Sequence, residues 1–290
     1  TADDLRKHIS SYGGTQLGVF EWCIVSGSRV NFPSPNHKLP GEGMDDFPRR
    51  GDKLAAETLQ KLRKDGVDTL AVVAEACREN GIACYASVRM NGDYSAGGAN
   101  GGLATIFNSE FWHAHPEFHQ RSTAGKTLTR LSYAFPEVRE FKLGIIREAA
   151  QRDISGINLD FQRHPNFFDH EEPMLEDYRK KYDDNPLKVP STDPRWDSIK
   201  AKHMTTFVSA TRAILDEAGK EKGKRMGLSI RIDWEKYKTW GCDIETWIKN
   251  GWIDYLVVGQ YGLSGYEFDI TPFVAMAKGT GCAVLFGEEC

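Results

Sequence analysis

Ile154-Ser-Gly-Ile-Asn-Leu-Asp-Phe161 is an apolar segment of strand length, entered from Arg152-Asp153 and left through Gln162-Arg-His164. Alternation along it puts Ile157, Leu159 and Phe161 on one face and Asn158 and Asp160 on the other. A strand with one apolar and one polar face suits a barrel wall, in which the apolar face packs on helices and the polar face points inward. An ionised carboxylate facing inward is costly unless it is hydrogen-bonded or paired, so Asp160 requires a reason. Arg163 and His164 are close enough in sequence to partner it, and the plain alternative is a buried ion pair that only fixes the loop.

Working outward, five more segments have the same length and turn-residue boundaries: Leu17–Val25, Ile82–Met90, Met226–Ile232, Ile253–Gln260 and Cys282–Phe286. Helical patterns lie between them. Asp68 can cap a helix carrying Leu70, Val73, Ala74 and Cys77, with Gly81 just beyond its end. Pro136 opens another with Val138, Phe141, Ile145 and Ala149 on one side, and further patterns run over 198–218, 243–249 and 271–278. This alternation predicts parallel strands joined by helical crossovers. Helix-to-strand joints are short, whereas the strand-to-helix joints 26–52, 91–135 and 162–197 are long. Long loops in a compact domain are usually functional, and these all follow the carboxyl ends of strands, where α/β barrels build their sites.

A doubly wound open sheet is the rival, but no Gly-x-Gly-x-x-Gly or Walker motif follows any strand. Polar groups instead recur at successive strand ends: Arg89, Asn91 and Asp93; Asp160, Arg163 and His164; Arg231 and Asp233; Gln260 and Tyr261; Glu288 and Glu289. Only a closed ring brings all of these strand ends to one pocket. The expected fold is therefore an α/β barrel, one domain over 1–290, with six of its eight strands in this chain. Both ends read as cut, since residues 1–11 pattern as a helix with no strand before it and Cys290 falls just as a strand ends.

Composition narrows the partners. A net charge of -4 and pI near 6.1 give no electrostatic reason to expect nucleic acid or an anionic membrane. No apolar run approaches the roughly 20 residues needed to span a bilayer. Six scattered cysteines lack metal-ligand spacing and read as buried thiols. His113, His115 and His119 form a His-x-His-x3-His cluster that could bind a metal for a hydrolase or deacetylase, against the plainer reading of loop-fixing histidines. Neither a Gly-x-Ser-x-Gly elbow nor His-Glu-x-x-His is present, which leaves carboxylate chemistry and calls for no cofactor.

Hydrolysis of a glycosidic bond needs two carboxyl groups flanking the scissile bond. Asp160 is the first candidate, and Glu289, Glu288 and Asp233 are candidates for the second, with Asp93 also just beyond a strand end. Asp233 is equally readable as the N-cap of a following turn, and successive Glu288 and Glu289 cannot both face one pocket. Arg89, Asn91, Asp93, Arg163, His164, Arg231, Gln260 and Tyr261 are candidates for substrate contacts. Trp22, Tyr94, Trp112, Phe167, Phe168, Trp234, Tyr261 and Tyr266 could stack on sugars, though ordinary packing accounts for any single one.

Phe20-Glu-Trp-Cys23 with Phe32-Pro-Ser34, Ala86-Ser-Val-Arg-Met-Asn91, Leu131-Ser-Tyr-Ala-Phe-Pro-Glu-Val-Arg139, Gly156-Ile-Asn-Leu-Asp-Phe-Gln-Arg-His-Pro165 and Ile253-Asp-Tyr-Leu-Val257 resemble, in order and spacing, successive blocks of the glycosyl-hydrolase-like family 10 proteins. The resemblance covers nearly the whole chain and implies a bacterial glycosidase with a (β/α)8 barrel acting on a carbohydrate. It would make the six segments barrel strands two through seven, place strands one and eight outside this chain, and put Asp160 at the end of strand four as nucleophile or acid. The strand-seven group would be Glu288 or Glu289, with Glu289 preferred. A non-catalytic carbohydrate-binding barrel is the alternative from another class.

Overall fold

A computed structural model describes residues 1–47, 49–94, 105–163, 165–260 and 268–287. Its strands in chain order are β1 (Val19–Ser26), β2 (Arg29–Val30), β3 (Ala83–Arg89), β4 (His119–Arg121), β5 (Thr127–Leu131), β6 (Gly156–Asp160), β7 (Gly227–Asp233), β8 (Tyr255–Gly259) and β9 (Ala283–Gly287). The order across the main sheet is β2-β1-β3-β6-β7-β8-β9, with every pairing parallel except the short β1–β2 turn-back. A doubly wound sheet reverses its strand order at a switch point. Here the six parallel strands advance in one direction, as in a barrel wall.

The wall is rolled. Ser229 on β7 donates to Glu21 on β1 at 2.7 Å, although two strands separate them in the sheet. Flat strands stand about 4.8 Å apart, so three spacings would leave about 14 Å between those backbones, too far for a Ser and a Glu to meet. Among the described residues β9 has β8 as its one neighbour and does not meet β1, and Leu285 and Phe286 on β9 are exposed.

All six segments anticipated as strands are the parallel strands, with ends shifted by one or two residues. Asp68 accepts the Ala71 N–H at 3.0 Å to cap Thr69–Glu79, and Gly81 beyond it has φ +70°. Helices Pro136–Ala150, Asp197–Glu221, Ile244–Lys249 and Thr271–Ala277 follow the patterned segments. Their apolar stripes cover the outward face of the wall, where Ile157, Leu159, Phe161, Leu228, Ile230, Ile232, Leu256 and Val258 have no exposure. Each such side chain contributes about 1.5–3 kcal/mol by leaving water. Ile157 and Leu159 are therefore outside the ring and Asn158 and Asp160 inside it.

The long strand-to-helix connections carry structure that the residue pattern did not disclose. The first holds β2 before helix Arg50–Lys64, the second holds helix Glu110–Ala114 and the β4–β5 hairpin, and the third holds helix Glu172–Arg179.

Candidate functional site

Register places the lumen side chains in three rows. The lowest is Glu21, Tyr85, Gly156 and Gly227; the middle is Cys23, Ser87, Asn158 and Ser229; the upper is Arg89, Asp160 and Arg231. The lowest row is a floor. A Cβ on Gly227 would lie 2.0 Å from the Tyr85 hydroxyl, and one on Gly156 would lie 2.5 Å from the same ring and 2.3 Å from the Gly227 carbonyl oxygen. Tyr85 thus fills the space that the two glycines leave empty, and it packs edge-on against Tyr255 with ring centres 5.8 Å apart.

A directed chain of hydrogen bonds crosses the middle row. The Ser87 hydroxyl donates to Asn158 Oδ1 at 2.8 Å, Asn158 Nδ2 donates to Ser229 Oγ at 3.1 Å, and the Ser229 hydroxyl donates to Glu21 Oε1 at 2.7 Å. The chain ends on a carboxyl in the middle of β1, away from the strand ends where the sequence pattern places its candidates.

Asp160 ends β6 in the upper row, 6% exposed. Its Oδ1 accepts the backbone N–H groups of Gln162 at 3.1 Å and Arg163 at 3.3 Å, while Arg231 Nη1 stands 3.6 Å from Oδ2. Burial pushes its pKa above the ordinary carboxylate value, opposed by Arg231, Arg89 and the two N–H donors. The charged partner is thus Arg231 from the neighbouring strand, and Arg163 contributes its backbone. Glu21 is also pushed up, first by burial and then by the charge of Asp160, with Ser229 and Arg231 opposing.

Beside Asp160 lies Gln162, which the sequence pattern does not mark as a site residue. It is 1% exposed, and neither polar atom of its amide has a hydrogen-bond partner among the described residues. The amide lies over Gly259, where a Cβ would come 3.2 Å from Nε2. A buried donor and acceptor left uncommitted within the protein cost about 1–3 kcal/mol each, so this amide keeps hydrogen-bonding capacity that the fold does not use.

The other candidates divide. Asn91 is buried with Nδ2 donating to the carbonyls of Leu131 and Asn166, so it fastens two loops. Asp93 is buried among Lys142, His119 and Arg130, with Lys142 also donating to the Gly27 carbonyl at 2.8 Å. Asp233 accepts the N–H groups of Glu235 and Lys236 at 3.1 and 3.0 Å, which is the turn-capping role. Gln260 follows β8, half-buried. His164, Tyr261, Tyr266, Glu288 and Glu289 lie outside the described residues.

Phe167 and Phe168 are core residues, Trp112 donates its indole N–H to Thr129, and Trp234 stacks on Phe268. Both ring nitrogens of His119 face backbone carbonyls, those of Leu128 and Trp112, and His115 pairs with Glu117. The histidine cluster is thereby used to fix its loop, and no group of three metal-ligating side chains occurs among the described residues. No helix among them is long and apolar enough to cross a membrane.

An α/β barrel with a buried carboxylate at a strand's carboxyl end defines the class: a glycoside-hydrolase-like barrel. A family model described as glycosyl hydrolase-like 10 matches residues 48–268, and the chain belongs to that family. The catalytic domain of a β-amylase from Paenibacillus polymyxa matches with a TM-score of 0.59 at 12% identity, covering 99% of this chain and 82% of that one. This likeness supports the barrel fold. An α-galactosidase from Thermus thermophilus (TM-score 0.40, 13% identity, 97% of this chain and 43% of that one) and a family 18 chitinase from Chromobacterium violaceum (0.40, 15%, 83% and 31%) also match. The chain spans less than half of those two structures. No curated protein matches it.

Proposed function

We propose that residues 1–290 act as one barrel domain that hydrolyses a glycosidic bond in an oligo- or polysaccharide, with Asp160 as the ionised carboxylate of the reacting pair. The observation that carries this reading is the setting of Asp160: a strand-end carboxylate, nine-tenths buried, held by two backbone N–H groups and flanked by Arg231. Donors fixed in this way keep an anion in a place where water is scarce, which a nucleophile or base for acetal hydrolysis needs. Family membership and the barrel fold support the same chemistry. The uncommitted amide of Gln162 is suited to a sugar hydroxyl, and Arg89 and Gln260 would complete the pocket.

Glu289 or Glu288 is the proposed second carboxyl, with Asp233 behind them because its Oδ1 already caps a turn. A separation of about 5–5.5 Å between the two carboxyls would specify retention and about 6.5–9.5 Å inversion. The test is turnover of a glycan panel by Asp160→Asn. Activity is expected to fall by about 10²- to 10⁴-fold at an unchanged melting temperature, and undiminished turnover would remove the proposal. The Asp160–Arg231 contact favours a second reading, a barrel that only binds carbohydrate. In that case the wild-type protein would bind glycans by calorimetry without releasing reducing ends.

A further inference from the structure

We propose that the lumen takes an acidic glycan: Arg89 receives an anionic substituent of the sugar, a carboxylate or a sulfate, beside Asp160. This rests on the reading of the lumen as a glycan site and names the class of sugar that such a site would hold.

Register sets Arg89 on β3 and Arg231 on β7 against Asp160 on β6, one from each neighbouring strand. The row continues through Val257 on β8 and Leu285 on β9, which bring no charge. Two guanidiniums thus share one carboxylate. Arg231 is the one beside it, with Nη1 3.6 Å from Asp160 Oδ2. Arg89 is half-buried and makes no hydrogen bond and no ion pair, with Asp160 or with any other described residue. It is near enough to oppose the rise that burial causes at Asp160, yet it is not spent on it. Arginine is not deprotonated in proteins, so Arg89 keeps a fixed positive charge in the lumen that the fold leaves without a contact.

The other carboxyls are engaged elsewhere. Glu21 belongs to the floor row and accepts the Ser229 hydroxyl at 2.7 Å, while Asp233 caps its turn. The second carboxyl of a glycosidase pair acts as a protonated acid, so it is neutral when substrate binds and leaves the charge of Arg89 in place. The planar fork of a guanidinium matches two oxygens of one oxyanion, which a sugar hydroxyl does not offer. For hydroxyls the lumen has a separate group in the uncommitted amide of Gln162, two residues beyond Asp160. Gly259 keeps the wall under that amide bare, since a Cβ there would also lie 2.5 Å from the Gly287 carbonyl oxygen.

The experiment is an NMR titration of the full chain labelled with ¹⁵N-arginine, at fixed ionic strength, with D-glucuronate, glucose 6-sulfate and glucose as probes. An acid should shift the Arg89 Nε–H signal saturably and glucose should not. A response to glucuronate alone assigns a carboxylate, one to glucose 6-sulfate alone a sulfate ester, and one to both an oxyanion of either kind. Arg89→Gln, followed at the Arg231 signals, should bind the responding acid about 10- to 100-fold more weakly. Asp160→Asn removes a like charge and should bind it more tightly.

No saturable shift with either acid, or an equal shift with glucose, would overturn the proposal on the wild-type chain alone. So would an affinity in folded Arg89→Gln within about twofold of wild type. The outcome is separate from that of the glycan assay. Binding of an acid at Arg89 without turnover of any glycan would leave this inference standing and remove the glycosidase reading, and turnover of neutral glycans with no acid bound would do the reverse.

Discussion

The lumen around Asp160 and the cluster formed by the third long connection both bury carboxylates, yet they use them differently. Glu171 is 1% exposed; it accepts the Ser132 hydroxyl, and the Asp169 N–H lies 3.2 and 3.1 Å from its two oxygens. Next to it, His170 joins Asp169 Oδ1 at 2.6 Å to the Val189 carbonyl at 2.7 Å, and Lys200 donates to the carbonyls of Ser191 and Thr239. Both oxygens of Glu171 and both ring nitrogens of His170 are committed within the protein, so this cluster clasps the loop and has little left for a ligand. The lumen is under-committed by contrast: among the described residues neither polar atom of the buried Gln162 amide has a hydrogen-bond partner. Burial pushes Glu171 up to about 7, a larger displacement than that of most groups in the chain, and still the role is structural. A perturbed carboxyl marks a reaction site only when polar capacity remains unused around it.

The largest test of this contrast is Glu171→Ala, expected to cost about 2–4 kcal/mol because it strands buried donors, against less than about 1 kcal/mol for Asp160→Asn in chemical denaturation. Equal losses would erase the distinction. Next is pH. Glu171 moves from 4.5 to about 7 on folding, so its protonated form favours the folded state; that contribution is full below about pH 4.5 and disappears as pH rises through 7. His170, also raised and for its partners in Asp169 and Val189, acts in the same direction. Melting curves should therefore show stability falling by up to about 3 kcal/mol across that window, flattened in Glu171→Gln.

A smaller effect, about 1–2 kcal/mol, is expected for Lys200→Met, which frees two loop carbonyls. Hydrogen exchange in 185–196 should rise while exchange in β6 and β7 does not. The smallest is Arg147→Ala, which removes an exposed pair with Glu140 and should change stability by less than about 0.5 kcal/mol.

The wall of the barrel is legible in the residues because each strand is short, apolar on the helix side and bounded by turn residues. Asp160 is legible because the lumen face of its strand is polar on both available positions, Asn158 and Asp160. Glu21 is harder to see. It sits mid-strand between Phe20 and Trp22, so β1 looks like an apolar run, and attention falls on strand ends. Its signal is parity: Glu21 is the lone carboxylate on the lumen side of an otherwise apolar strand. Arg231, not Arg163, became the cation at Asp160 because cross-strand register decides contact, and register is absent from the local pattern. The β4–β5 hairpin and helix Glu172–Arg179 stay hidden for the same reason, being held by contacts such as Asn91 to Asn166 and Ser132 to Glu171 that join distant residues.

The floor of the lumen has a bearing on how this family varies. Tyr85 occupies the volume that side chains at 156 and 227 would claim, so the three positions behave as a single choice made jointly by three strands. In relatives, a smaller residue at the position of Tyr85 should be accompanied by side chains at both glycine positions, and an alignment deep enough to reveal correlated replacement would find these three drifting together or not at all.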